Sequence, residues 1–218
     1  MLGEEIKNKV VVKLEEFSPY MPDSDEAGPL LSGEDVLDEV KPIYSYIAET
    51  LPQAANEILL AAPLDKLESE RWEHRACVHE YEKRVTGSVY TVSLPADFLR
   101  LRALRLNSWT RRVEIAEHPM SPKAKEQDNQ WTMGTFAKPV VVLDESKMYC
   151  YSVKKGETCT IKEYRYIPVF SEMGEYNDNI AELIALNCAK KIYEIFQNGE
   201  GVQAMAAEIQ SAMEALAL

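Results

Sequence analysis

Apolar residues Leu2, Ile6, Val10, Leu14 and Phe17 recur at intervals of four and three, which places them on one face of an α-helix over residues 2–17. The β-branched run Val10-Val11-Val12 opposes that helix, and Ser18-Pro19 stops it. A polar loop follows from Pro22 to Gly28. Ser32, with Asp35 three residues on, reads as the N-cap of a second helix whose apolar stripe is Val36, Val40, Ile43, Tyr44, Ile47 and Leu51. Pro42 and Pro52 each remove an amide donor, so a kink or break is expected at both, with a separate short helix over residues 54–62.

Beyond Trp72 the pattern changes to short runs rich in Val, Tyr and Thr between turn residues, which predicts strands over 76–81, 88–93, 101–106, 111–115, 140–143, 147–153 and 158–167. Two hairpins are expected, one turning at Asn107-Ser108-Trp109-Thr110 and the other at Lys154-Lys155-Gly156-Glu157. Between them, residues 121–129 are polar enough for a helical turn or two. Helical spacing returns after Asn177-Asp178 with Ala181, Ile184, Ala185, Cys188, Ile192, Ile195 and Phe196 on one face, and Asn198-Gly199 supplies a left-handed stop. A last amphipathic segment carries Val202, Met205, Ala206, Ile209, Met213 and Leu216. The predicted class is α+β: a helical bundle from residues 1–72 and 176–218, with residues 73–175 as a β-rich insertion.

Composition narrows the function classes. Hydrophobic residues make up 46% and charged residues 28%, the balance of an ordinary folded domain rather than of a disordered chain. No apolar run is long enough to cross a membrane, and the first residues lack the basic and apolar regions of a signal peptide, so the chain is expected to remain in the cytosol where it is made. There the thiols of Cys77, Cys150, Cys159 and Cys188 are expected to be reduced. A net charge of −12 opposes general affinity for nucleic-acid phosphates. It suits a surface past which DNA moves without sticking, and equally one that only keeps the chain soluble.

Few residues suggest chemistry. His74, Cys77 and His79 are zinc-ligand types, but on a strand His74 points away from the other two, and no second cluster completes four ligands. The G-x-S-x-G, P-loop, G-x-G-x-x-G and H-E-x-x-H patterns are absent. No catalytic, cofactor or metal residues are assigned, and the chain is read as a non-enzyme. Partner contacts are read instead at the basic island that includes Arg102 and Arg105, where no acidic residue intervenes between Asp97 and Glu114. Trp109 at the adjacent turn is either an exposed anchor or a packed hairpin tip. The stripe Val202, Met205, Ile209, Met213 and Leu216 either packs on its own bundle or forms an arm that docks on a partner, able to swing about Gly199 and Gly201.

The order of several short motifs completes the reading. Leu94-Pro95-Ala96-Asp97-Phe98-Leu99-Arg100-Leu101 precedes Leu104-Arg105-Leu106, Trp109 and Arg112-Val113. The polar segment Glu126-Gln127-Asp128-Asn129-Gln130 follows, then Gly134 and Lys138-Pro139-Val140, while Ala54-Ala55 and Ala61-Ala62-Pro63-Leu64 stand upstream. In this order, over residues 33–195, the chain resembles the head-to-tail adaptors of short-tailed bacteriophages, also called tail tubular protein A or ring proteins. The resemblance implies a helical bundle with a β-rich insertion, assembled as a homo-oligomeric ring, twelve-membered in that family. Its implied partners are a portal protein and tail or further ring proteins, in the neck of a virion after assembly in the host cytoplasm. It implies no catalytic residues. The competing reading is a non-virion cytosolic binding or scaffold protein.

Overall fold

A computed structural model describes residues 1–17, 43–68, 70–71, 81–84, 87–129, 131–153 and 159–217. The chain divides into two units: residues 1–68 with 169–218, and residues 69–168. The first is helical and the second β-rich, so the class is α+β. The cap expected at Ser32, the break expected at Pro42, the loop 22–28, the turn 154–157, the strand expected over 76–81 up to its last residue, and His74, Cys77 and His79 lie outside the described residues.

The helical unit is built around α4 (Asp178–Ile195), against which α1 (Gly3–Phe17), α2 (Ile43–Ala61) and α5 (Gly199–Ala217) all pack. Sequence spacing marked one apolar face of α4, but Leu183, Leu186 and Ala189 are buried along with Ala181, Ile184, Ala185, Cys188 and Ile192. A helix apolar nearly all round is the signature of a central position. Asn177 caps α4 by accepting from the Asn179 amide at 2.9 Å. Two of the apolar positions expected on its inner face, Ile195 and Phe196, are exposed at its end.

Polar groups fix the helix pairs. The buried Asn187 donates from Nδ2 to the Ala54 carbonyl at 2.9 Å and to Glu57 at 3.2 Å, tying α4 to α2. Glu182 takes Lys9 at 2.7 Å and Lys13 at 3.2 Å from α1. Tyr193 donates its hydroxyl to the Leu14 carbonyl at 2.9 Å, satisfying an orphan acceptor in the last turn of α1.

Two expectations for this unit are corrected. Pro52 neither breaks α2 nor opens a second helix, since residues 43–61 are one helix with Pro52 inside. Pro52 and Ala48 are both exposed, so the bond that proline forfeits lies on the open side of the helix. Nor do Asn198 and Gly199 supply the left-handed stop after α4. Gln197 does, with φ of 56°, while Asn198 accepts from the Gly201 amide at 3.0 Å and so starts α5.

The β-rich unit holds two antiparallel sheets. One has the order β1 (Glu70–Arg71), β7 (Ile161–Pro168), β4 (Phe98–Leu106); the other has β2 (Tyr81–Arg84), β3 (Gly87–Ser93), β6 (Lys147–Val153), β5 (Val141–Asp144). They share a core in which Leu101, Leu104, Leu106 and Tyr164 meet Val92, Val141, Met148 and Cys150. On the opposite face of the second sheet, Val89, Val142 and Tyr151 pack with Ala124 of α3 (Pro122–Glu126). Alternation along β5, with Val141 on one side and Val142 on the other, thus covers both faces of that sheet.

Among the described residues, neither expected hairpin forms a continuous ladder. β6 and β7 belong to different sheets, so no ladder joins them, and β6 instead turns back on β5 through Asp144 to Lys147, with Glu145 at φ 28°. At Asn107 to Thr110 the chain does reverse, but residues 111–115 return only one bridge, Leu104 with Val113, on the edge of β4 that faces away from β7.

Candidate partner-binding surface

Trp109 is buried at 1% exposure within the shared core, and its indole nitrogen donates to the Ser152 carbonyl at 3.2 Å. Ser152 holds a left-handed φ of 66° inside β6. An aromatic ring with its one polar atom satisfied internally is a packed element, so of the two readings of Trp109 the exposed anchor is the one set aside. Arg105 turns back on the same reversal, its Nε donating to the Trp109 carbonyl at 3.4 Å. Arg102 is half-buried on β4, and burial lowers the basicity of nearby Arg100.

The C-terminal stripe is divided. Met205 is fully buried and Leu216 nearly so, within a helix packed on α4, the packed one of the two expected arrangements. Gly201 sits in the first turn of α5, where a Cβ would come within 2.7 Å of the Tyr193 ring. Its lack of a side chain therefore lets the two helices approach, a packing role in place of the expected hinge. Val202, Ile209 and Met213 are half-buried along one edge of α5.

What the sequence reading missed is the long segment between β4 and β5, which has little regular structure and is held by specific side chains. Ser121 caps α3 by accepting from the Ala124 amide at 3.2 Å. The buried Gln127 donates to the Lys123 carbonyl at 2.8 Å and accepts from the Gly134 amide at 2.9 Å, bridging the two ends of the loop. Thr110 donates from both its amide and its hydroxyl to the Phe136 carbonyl at 3.0 Å.

These bonds shape an open groove of about 580 Å³, lined by Arg111, Ile115, Met133, Lys138 and Val140 among others. On the same segment, Trp131 is 86% exposed and Ile115 is 70% exposed, and Met120 lies open as well. Large apolar side chains displayed on one segment are a mark of recognition surfaces. Two of the groove's cations are neutralised, Arg112 by Glu114 at 2.7 Å and Lys123 by Glu117 at 2.8 Å. Arg111 and Lys138 have no ion pair among the described residues. The signal available in sequence was a tryptophan inside the polar run from Glu126 to Thr132, where nothing apolar surrounds it to demand burial.

The three described cysteines, Cys150, Cys159 and Cys188, are free thiols. Burial raises all of them, Cys159 to about 11 and Cys188 to about 12, and Cys150 further, which keeps them protonated and unreactive. Among the described residues no group of carboxylates, histidines and cysteines could hold a metal ion, and no helix is long and apolar enough to cross a membrane. Compared with known protein families and with curated proteins, the chain matches none.

Proposed function

We propose that this chain is a structural subunit of a head-to-tail connector, a ring that joins a phage portal to the tail and forms part of the DNA conduit. The observation that carries the reading is the chain order of the fold: both ends pool into one helical unit, and residues 69–168 form a β-rich unit between them. That is the arrangement implied by the resemblance in the Leu94 to Val140 motifs. The groove and the exposed Trp131 and Ile115 support a life spent in contact with other proteins. The acidic excess supports passage of DNA without capture.

The test is to mix the purified chain with the portal protein encoded in the same genome and image the product by electron microscopy. An added ring on the portal, with one subunit per portal subunit, is the expected result. A bare portal at high concentrations of both proteins rejects the reading. Binding of duplex DNA at physiological salt should be weaker than about micromolar, below the range of ordinary non-specific binders.

A further inference from the structure

The charges of the chain are split by unit. Residues 1–68 and 169–218 contain 7 of the 24 basic and 23 of the 36 acidic residues, a formal net charge of −16, and no arginine. Residues 69–168 contain the other 17 basic residues, with every arginine of the chain, and 13 acidic ones, a net charge of +4. Two copies that met through like units would set −16 against −16 or +4 against +4. The β-rich unit of one copy facing the helical unit of another is the attractive arrangement. A head-to-tail contact of that kind leaves one free surface of each sort on every pair, so it propagates, and it closes into a ring when the rotation permits.

We propose that the groove of the β-rich unit is a socket for α5 of a second copy of this chain, an inference that rests on the ring reading above and names its subunit interface. On the socket side, Arg111 and Lys138 have no ion pair among the described residues, and the groove's cations outnumber its carboxylates Glu114, Glu117 and Glu126, beside the apolar Ile115, Met133 and Val140. On the other side, α5 has no lysine or arginine in its 19 residues. Its outer surface carries the exposed Glu200 and Glu214, with small residues Ala206, Ala207 and Ser211 between them that permit close approach. Val202, Ile209 and Met213 lie toward the opposite side of the helix and stay with their own bundle, so the contact on this side is acidic and small-residue in character. Glu208 is already held by Lys13 at 3.5 Å within its own bundle and is not part of the contact.

A charge swap on the full-length chain tests this by sedimentation velocity at low and at physiological salt. The wild-type chain should self-associate with rising concentration, and salt should weaken the association. A socket-reversed variant, Arg111→Glu with Lys138→Glu, should weaken it about a hundredfold, because like charges then face each other across the contact. A helix-reversed variant, Glu200→Lys with Glu214→Lys, should do the same. Mixing the two variants should restore association, since each then meets a complementary surface, and circular dichroism should show both folded. The neutral pair Arg111→Gln and Lys138→Gln gives an intermediate loss should either reversal fail to fold.

A wild-type chain that stays monomeric at low salt overturns the inference and leaves the adaptor reading to the portal experiment. Association that survives both reversals, or a mixture that fails to recover it, places the interface elsewhere. Loss of portal binding with self-association intact on reversing Glu200 and Glu214 assigns α5 to the portal and likewise overturns the proposal.

Discussion

The two units reach order by different means. In the helical unit, regular periodicity produces helices, and a few cross-links such as Asn187 to Ala54 and Glu182 to Lys9 and Lys13 lock their pairing. In the β-rich unit the two sheets account for the core, but the segment between β4 and β5 depends on individual side chains. There Trp109 fills the core, and Gln127 clamps Gly134. A repeated pattern tolerates the loss of one member, whereas a single clamp does not. The contrast therefore predicts where single substitutions are most costly.

The largest effect is expected at Trp109. Trp109→Ala empties a fully buried site at the meeting of both sheets and should cost about 3 to 5 kcal/mol. Hydrogen exchange should accelerate in β4, β5 and β6; a loss below 1 kcal/mol would mean that the reversal at Asn107 to Thr110 does not organise the unit.

Gly201→Ala is the comparable blow to the helical unit, because the added methyl meets a Tyr193 ring that is itself pinned to Leu14. Overpacking of that kind should cost about 1 to 3 kcal/mol in chemical denaturation. If the change stabilises the protein, the glycine serves only as a poor helix former and the close approach is unimportant.

Tyr193→Phe sharpens the comparison by removing only the bond to the Leu14 carbonyl. A buried acceptor is left unpaired, so a loss of about 1 to 2 kcal/mol is expected in urea unfolding. No change would show that the end of α1 frays and solvates its own carbonyls.

Glu182 gives the smallest and the only pH-dependent effect. Burial pushes its carboxyl upward, but the hydrogen bonds from Lys9 and Lys13 outweigh that and hold it below the usual 4.5. Its contribution is therefore fully present above the unfolded value and is lost as pH falls through the lower folded one. Glu182→Gln should cost about 1 kcal/mol or less near neutrality, allowing for screening of a partly exposed pair, and the variant and wild type should converge in acid. Melting curves that remain separated below pH 3 would assign the effect to packing.

Much of the fold was legible because both units rest on periodic burial. The Ile184 and Cys188 spacing, the alternation in residues 147–153 and the Asn177 cap are local signals, and local geometry obeyed them. Errors arose where a residue's role depends on a distant partner. Gly201 reads as a break until Tyr193 is known to lie against it, and Pro52 reads as a stop until it is known to sit on the exposed side of its helix. Pairing of β6 with β3 rather than β7 was invisible for the same reason, since sheet partners are chosen by a shared core and not by adjacency in sequence. The groove was hidden because irregular backbone has no period, and only Trp131 in its polar setting announced it.

Because residues 69–168 are contiguous while the helical unit is drawn from both ends, synthesis imposes an order on the two. Every strand of the β-rich unit has left the ribosome once Pro168 has emerged, and that unit is then complete in sequence. At the same moment α1 and α2 are exposed without α4, the helix on which both pack, and must wait with their apolar faces unshielded. Residues 169–218 thus close over residues 1–68. Translation slowing near residue 168 would lengthen the interval in which Ile6, Val10, Ile47 and Leu51 are open to chaperones or to neighbouring chains.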